Sequence, residues 1–379
     1  MRAKRLKASL PGFVAIMGLA VAAWAGPPPP AGIFEADFNG DGKDDMARQN
    51  AGGIRVDILD GTSSIANGTF PTGGGTFVLK AVGKENNDAQ FDLIAQGGGS
   101  IRITFVNAAG TGQSATAPLF FPDGGGAWQV VDAADVDGDG IAEVIANGTG
   151  GAAGALRITN VATGTPVHTF LSTAGGAWVY AFAADVNGDH KMDLIFRGTG
   201  VAAGTSRANL NGSTTAKFYA QGGNSWTLTG AGDVDGNGTA DLVDTGASVA
   251  AAGFNRVRTL DMNGDPTGSA FVGNAANAFV LKRIADFTGD GKADLGYQGA
   301  NTFRITPMDG LAIQPAIFPA SGGGQFTLRR MSDTNGDGLA DLIVTNVTND
   351  VRVQVSTGTG TTNGAVIPNG GLTLFVSPP

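Results

Sequence analysis

The chain contains no cysteine, and only two histidines and three tyrosines occur among its 379 residues. The lack of cysteine removes disulfides, thiolate nucleophiles and thiolate metal sites. Charged residues make up only 15% while hydrophobic residues reach 42%, which excludes a disordered polyelectrolyte and leaves enough apolar surface for a core. Cations are the scarcer charge, with 24 Lys+Arg against 33 Asp+Glu and a formal net charge of −9. That balance argues against a protein built to grip nucleic acid phosphates. No apolar run reaches the ~20 residues of a membrane-spanning helix. Nucleophile elbow, zinc signature and phosphate loop are all missing. Glycine, by contrast, is abundant at 62 residues, without the three-residue period of collagen.

The first 25 residues read as a secretory signal peptide. Arg2, Lys4, Arg5 and Lys7 precede an apolar run from Phe13 to Ala23, and Ala23-Trp24-Ala25 supplies small residues at a cleavage site near Ala25. The expected product is secreted, to the periplasm or outside the cell, and carries no transmembrane segment. Pro27 to Pro30 read as a stiff extended spacer over residues 26–32. Loss of the four leader cations would take the net charge from −9 to −13.

Internal repeats organise everything after residue 32. The segment Asp37-Phe-Asn39-Gly-Asp41-Gly-Lys43-Asp-Asp45 recurs at 135–143, 185–193, 233–241, 286–294 and 333–341, with a decayed copy at 84–92. Seven units of about 50 residues follow from the spacing. In six of them an aromatic stands seven residues before the motif: Phe77, Trp128, Trp178, Trp226, Phe279 and Phe326. Short apolar runs with β-branched content, punctuated by Gly, Asn and Asp, read as four strands per unit. Four strands at this period make a propeller blade. The expected fold is all-β, a seven-bladed β-propeller of four-stranded antiparallel blades over residues 33–379. Only Ile33 to Ala36 precede the first motif, whereas Gly370 to Val376 repeat the opening strand pattern with no motif after it. The expectation is that this C-terminal strand pairs in blade 1 and closes the ring.

The motif carries oxygen side chains at positions 1, 3, 5 and 9 around a tight turn. They are Asp37, Asn39, Asp41 and Asp45; Asp135, Asp137, Asp139 and Glu143; Asp185, Asn187, Asp189 and Asp193; Asp233, Asp235, Asn237 and Asp241; Asp286, Thr288, Asp290 and Asp294; Asp333, Asn335, Asp337 and Asp341. Position 7, variable in type, is expected to offer its carbonyl: Lys43, Ile141, Lys191, Thr239, Lys292 and Leu339. Such a set suits a hard cation with 6–8 oxygen ligands, and calcium better than magnesium, which demands rigid octahedral geometry. The alternative is an Asx-rich turn satisfying its own backbone, which six copies at fixed offsets make the weaker reading. These loops hold 20 of the 33 acidic residues. Up to six Ca²⁺ are expected. None is expected in blade 2, where Lys84 takes position 1, and weaker sites are expected where Thr288 and Asn237 stand.

The motif followed by Leu-Ile, the four-strand period and the sevenfold count resemble the FG-GAP/VCBS repeat family, bacterial relatives of integrin α-subunit propellers. The resemblance covers residues 31–379. It implies a motif between the first and second strands of each blade that binds calcium, and roles in adhesion, carbohydrate binding or parts of larger enzymes.

Three further features bear on ligands. The connections after the second strand are longer in blades 3, 4 and 5, over Gly148 to Gly154, Gly198 to Gly204 and Gly246 to Gly253. They would frame a binding site on the face opposite the motifs, or reflect neutral length variation, the weightier reading. Arg55, Arg102, Arg157, Arg207, Arg256, Arg304 and Arg352 form a sevenfold set. A cationic ring for an acidic polysaccharide is one reading; a structural residue pairing with a neighbouring blade is the stronger. The aromatic slot likewise reads as core before sugar platform. Carboxylates that repeat by blade look like metal ligands, not like a catalytic pair, so no catalytic residues are assigned. The expected function is a calcium-binding recognition or adhesion module for an extracellular glycan or protein, monomeric and without nucleic acid. The alternative is a calcium-assisted lyase or glycosidase acting on polysaccharide.

Overall fold

The computed structural model describes residues 33–50 and 53–368. The expected leader, proline spacer and closing strand at Gly370 to Val376 lie outside the described residues. Among the described residues seven antiparallel blades follow one another along the chain, six of them four-stranded sheets in the order first to fourth strand and blade 6 three-stranded beside a small hairpin at Met308–Asp309 and Ala312–Ile313. Blade 3 is representative: Trp128–Ala134, Glu143–Gly148, Ala155–Asn160 and Val167–Ser172. First strands of neighbouring blades touch one another, so they line the axis of the ring.

The second strands read as unbroken apolar runs because both of their faces are covered. Val144 packs with blade 2 while Ile145 packs with blade 4. Likewise Leu342 and Val344 face blade 6 and Ile343 faces blade 1. A strand between two sheets has no solvent side, and the alternation of a half-buried strand disappears. Seven apolar clusters result, one between each pair of neighbouring blades. The last joins Ile33, Met46 and Leu59 of blade 1 to Ile343, Val351 and Ile367 of blade 7, so the ring closes through side chains of the described residues. The first strand of blade 1 is Ile33–Ala36, paired with the second from Ile33↔Arg48 to Ala36↔Asp45.

Blade 6 departs from the four-strand pattern. Its fourth strand is reduced to bridges at Ile317 and Ala320. Pro315 and Pro319 lack the N–H that a continuous ladder needs, which confines prolines to such frayed edges.

Two sets of polar contacts tie blade to blade. In all seven motifs the N–H at position 8 donates to the carbonyl at position 1, or its Lys84 equivalent, of the preceding blade. Examples are Phe91 to Asp37 at 3.1 Å, Met192 to Asp135 at 2.8 Å and, across the closure, Asp44 to Asp333 at 2.7 Å. Near the other face, a glutamine four residues after position 9 sutures blades 1, 2 and 6 to the next blade. The Gln96 amide donates to Trp128 O (2.6 Å) and accepts from Val130 N–H (2.9 Å). Gln49 does the same with Phe77 and Leu79, and Gln298 accepts from Leu328.

Candidate functional site

Each motif loop joins the first strand to the second, and its backbone curls around the carboxylate at position 1. In blade 3, Asp135 accepts N–H bonds from Gly138 (2.6 Å) and Gly140 (2.9 Å). Asp37, Asp185, Asp233, Asp286 and Asp333 repeat the arrangement. Positions 4 and 6 take positive φ, and at position 6 of blade 4 His190 adopts φ 64 in place of glycine. A Cβ on Gly140 or Gly238 at that position would meet nothing within 4 Å, so the cost of a side chain there is backbone strain alone. Position 4 is different: a Cβ on Gly138 would approach the Lys191 stem at 2.9 Å, and the position-7 side chain of each following blade lies against this glycine.

The carboxylate at position 9 is a buried strut. Asp45 accepts N–H bonds from Phe38 (3.0 Å) and Leu59 (2.8 Å), linking its own loop to the end of the third strand. Asp193, Asp241, Asp294 and Asp341 make the equivalent pairs. Asp92 does so in blade 2 as well, with Glu85 and Val106, although the rest of that motif has decayed. Burial pushes these groups up, Asp45 and Glu143 to about 8 and Asp92, Asp193, Asp241 and Asp294 to about 7, against the stabilising amide bonds.

Positions 1, 3 and 9 converge most fully in blades 3 and 5. One oxygen from each of Asp135, Asp137 and Glu143 lies within 4.8 Å of the others, and the same holds for Asp233, Asp235 and Asp241. Position 5 stays outside these trios: Asp139 instead accepts the Ile141 N–H at 2.8 Å. In blades 1, 4 and 7 the position-3 amides of Asn39, Asn187 and Asn335 donate to Asp41, Asp189 and Asp337. The Thr288 hydroxyl in blade 6 is buried with no hydrogen-bond partner. Side chains at position 7 go elsewhere. Lys43 pairs with Asp60 at 2.6 Å and Lys292 with Asp309, while Thr239 reaches Leu260 O. Only their carbonyls remain for the loop. An all-oxygen set in which carboxylates converge and one hydroxyl is orphaned fits a hard divalent cation, whose charge would offset the cost of ionising the buried groups. In blade 2 the Lys84 ammonium lies 5.5 Å from the Phe91 ring centroid, and Glu85, where other blades carry Phe, Val or Thr, is buried without a side-chain partner.

The FG-GAP-like repeat family model matches residues 86–146, the stretch from the blade 2 loop to the second strand of blade 3. That match and the seven-bladed ring fit the FG-GAP-like repeat family. No curated protein sequence matches it. Among solved structures, this propeller is similar to an Agrocybe aegerita lectin described as recognising non-reducing terminal N-acetylglucosamine. The TM-score is 0.64 at 19% identity, covering 87% of this chain and 90% of the lectin. It is also similar to BBS1N from a complex with ARL6DN, at TM-score 0.52 and 12% identity over 88% and 93% of the two chains. These likenesses concern the fold.

The sevenfold arginines of the propeller are structural. Arg102, Arg157, Arg207, Arg256, Arg304 and Arg352 each lie over the aromatic slot of their own blade, at 4.3 to 5.2 Å from the ring centroid. Arg157, Arg207 and Arg256 also reach carbonyls of the preceding blade at Pro122, Ser172 and Ala220. Arg55 instead pairs with Asp57, which also holds the fully buried Arg48 at 2.7 Å. Asp244 sits between Arg256 and Arg258 in the same way. A half-exposed phenylalanine, Phe120, Phe170, Phe218, Phe271 or Phe318, completes the stack in five blades.

The enlarged loops of blades 3 and 4 fold into single 3-10 turns, Gly150–Ala152 and Gly200–Ala202, pinned to the glycine turn of their own blade. Thr149 N–H bonds Ala127 O and Thr199 N–H bonds Ala177 O, both at 2.8 Å. Val201 and Val249 are left almost wholly exposed at the tips. One residue escaped sequence reasoning altogether. At the suture position, blade 4 carries Arg197, and a comparison of this column with Gln49, Gln96 and Gln298 would have exposed it.

Proposed function

We propose that this protein is a calcium-stabilised recognition module, exported from the cell, that binds a glycan or a protein partner. The observation that supports it best is the distribution of the acidic groups. They recur blade by blade in loops whose oxygens converge, as at Asp135, Asp137 and Glu143, which is the pattern of structural cation sites on a rigid ring. The residues that would hold Ca²⁺ are positions 1, 3, 5 and 9 of the six intact motifs with the position-7 carbonyl. The ion would supply charge to neutralise carboxylates that burial otherwise penalises. Likeness of fold to a lectin over 87% of the chain favours a glycan partner, while the complexed neighbour keeps a protein partner in view.

The test is a glycan and bacterial polysaccharide array probed with purified protein in calcium and again in EDTA. Calcium-dependent glycan binding supports the reading. Absence of binding in calcium, followed by an empty pull-down of surface proteins, refutes it. The same incubations read for reducing ends or unsaturated sugars would reveal a polysaccharide-cleaving enzyme instead.

A further inference from the structure

The suture column breaks the symmetry of the ring. Blades 1, 2 and 6 spend Gln49, Gln96 and Gln298 on joining the next blade's first strand. Blades 3, 4 and 5, the three with enlarged loops, carry Asn147, Arg197 and Thr245 there instead, and blade 7 carries Thr345. Thr245 is engaged within its own blade, by Thr229 and Asn255. The Arg197 side chain makes no hydrogen bond or ion pair among the described residues, and burial depresses its basicity. Where the glutamine would bridge blade 4 to Trp226 and Leu228 of blade 5, a cavity of about 290 Å³ opens. It is lined by Arg197, Thr199, Ser206, Gln221, Asn224 and Trp226 among others.

A half-buried guanidinium without a counter-ion is costly, and its fork of N–H donors matches a carboxylate. Around it stand hydroxyl and amide groups able to bond sugar hydroxyls, and the Trp226 indole, itself stacked with Arg256 and Phe271, forms one wall. The volume sits at the small end of ligand pockets, fitting a single unit better than a peptide segment. A protein with a net charge of −9 repels dense polyanions at a distance, so one carboxylate per binding unit is the better match.

We propose that the cleft between blades 4 and 5 binds a uronic acid unit of a glycan, with Arg197 on the carboxylate and Trp226 as a wall of the cleft. This rests on the recognition reading above and narrows it to one glycan class. The experiment titrates the full chain with methyl glucuronide, methyl glucoside and N-acetylglutamate amide by calorimetry or saturation-transfer NMR, on wild type, Arg197→Gln and Trp226→Phe. The glucuronide should bind, the glucoside at least tenfold more weakly. Arg197→Gln should lower glucuronide affinity at least tenfold while raising the melting temperature, because the glutamine restores the suture of blades 1, 2 and 6. Equal affinity for both sugars, glucuronide binding undiminished in Arg197→Gln, no binding of the glucuronide, or preference for the glutamate derivative would each overturn the proposal. Array hits on neutral glycans that survive Arg197→Gln would do so too while leaving the recognition reading intact; an empty array and pull-down refute that reading separately.

Discussion

Replacing Gln96 with leucine keeps the volume of a side chain that is only 6% exposed and removes its amide. Trp128 O and Val130 N–H, bonded at 2.6 and 2.9 Å, would lose their partners at a buried strand edge, and Asp123 would lose a third contact at 3.0 Å. An unsatisfied buried polar group costs about 1–3 kcal/mol, so the two backbone groups together should cost roughly 2–5 kcal/mol. Unfolding entropy of ~2.1 cal/mol/K per residue over a ring of roughly 330 residues gives about 0.7 kcal/mol/K, and a loss of ~3 kcal/mol lowers Tm by about 4 °C. Calorimetry on Gln96→Leu measures this, and amide hydrogen exchange should show Val130 losing protection. A melt within a degree of wild type, with Val130 still protected, would refute the view that these glutamines join the blades.

Chelation should lower Tm and make it rise again with added calcium, because an ion bound only by the folded ring stabilises it by mass action; a melt indifferent to EDTA argues against calcium. Asp244→Ala leaves Arg256 and Arg258 without their shared carboxylate and should cost about 3–5 kcal/mol, read by urea unfolding. Glu85→Val restores the apolar residue of Val136 and Val186 at that position and should stabilise the ring. Burial raises the Glu85 carboxyl well above its ordinary 4.5, so the folded state holds the proton more tightly than the unfolded one. Wild-type stability therefore falls as pH rises above ~4.5, and the gain from Glu85→Val should be larger at pH 8 than at pH 4; a gain independent of pH contradicts this account.

The position-9 carboxylates show how far a repeated motif can be read. Oxygen at fixed offsets marks Asp45 or Asp241 as a cation ligand, but only the folded blade shows each also bracing its loop to the third strand through N–H bonds at 2.7 to 3.0 Å. Asp92 makes the same bracing bonds in blade 2, where Lys84 stands at position 1. The sevenfold arginines and aromatics were legible as structural, since repetition over every blade signals packing. Their stacking order was not.

What the sequence determined by itself is the repeat: four short strands, an oxygen-rich loop between the first two, and seven copies, because local turn chemistry and strand patterning act within about 50 residues. Closure of the ring, the suturing of one blade to the next and the cleft at Arg197 belong to the tertiary structure alone. They depend on which side chain meets which backbone across a gap between sheets. Gln96 reaches Trp128 and Val130 some thirty residues onward, and Arg197, in the same column, reaches no partner. The column alone shows that the residue types differ; what each one reaches appears only when the blades are set side by side.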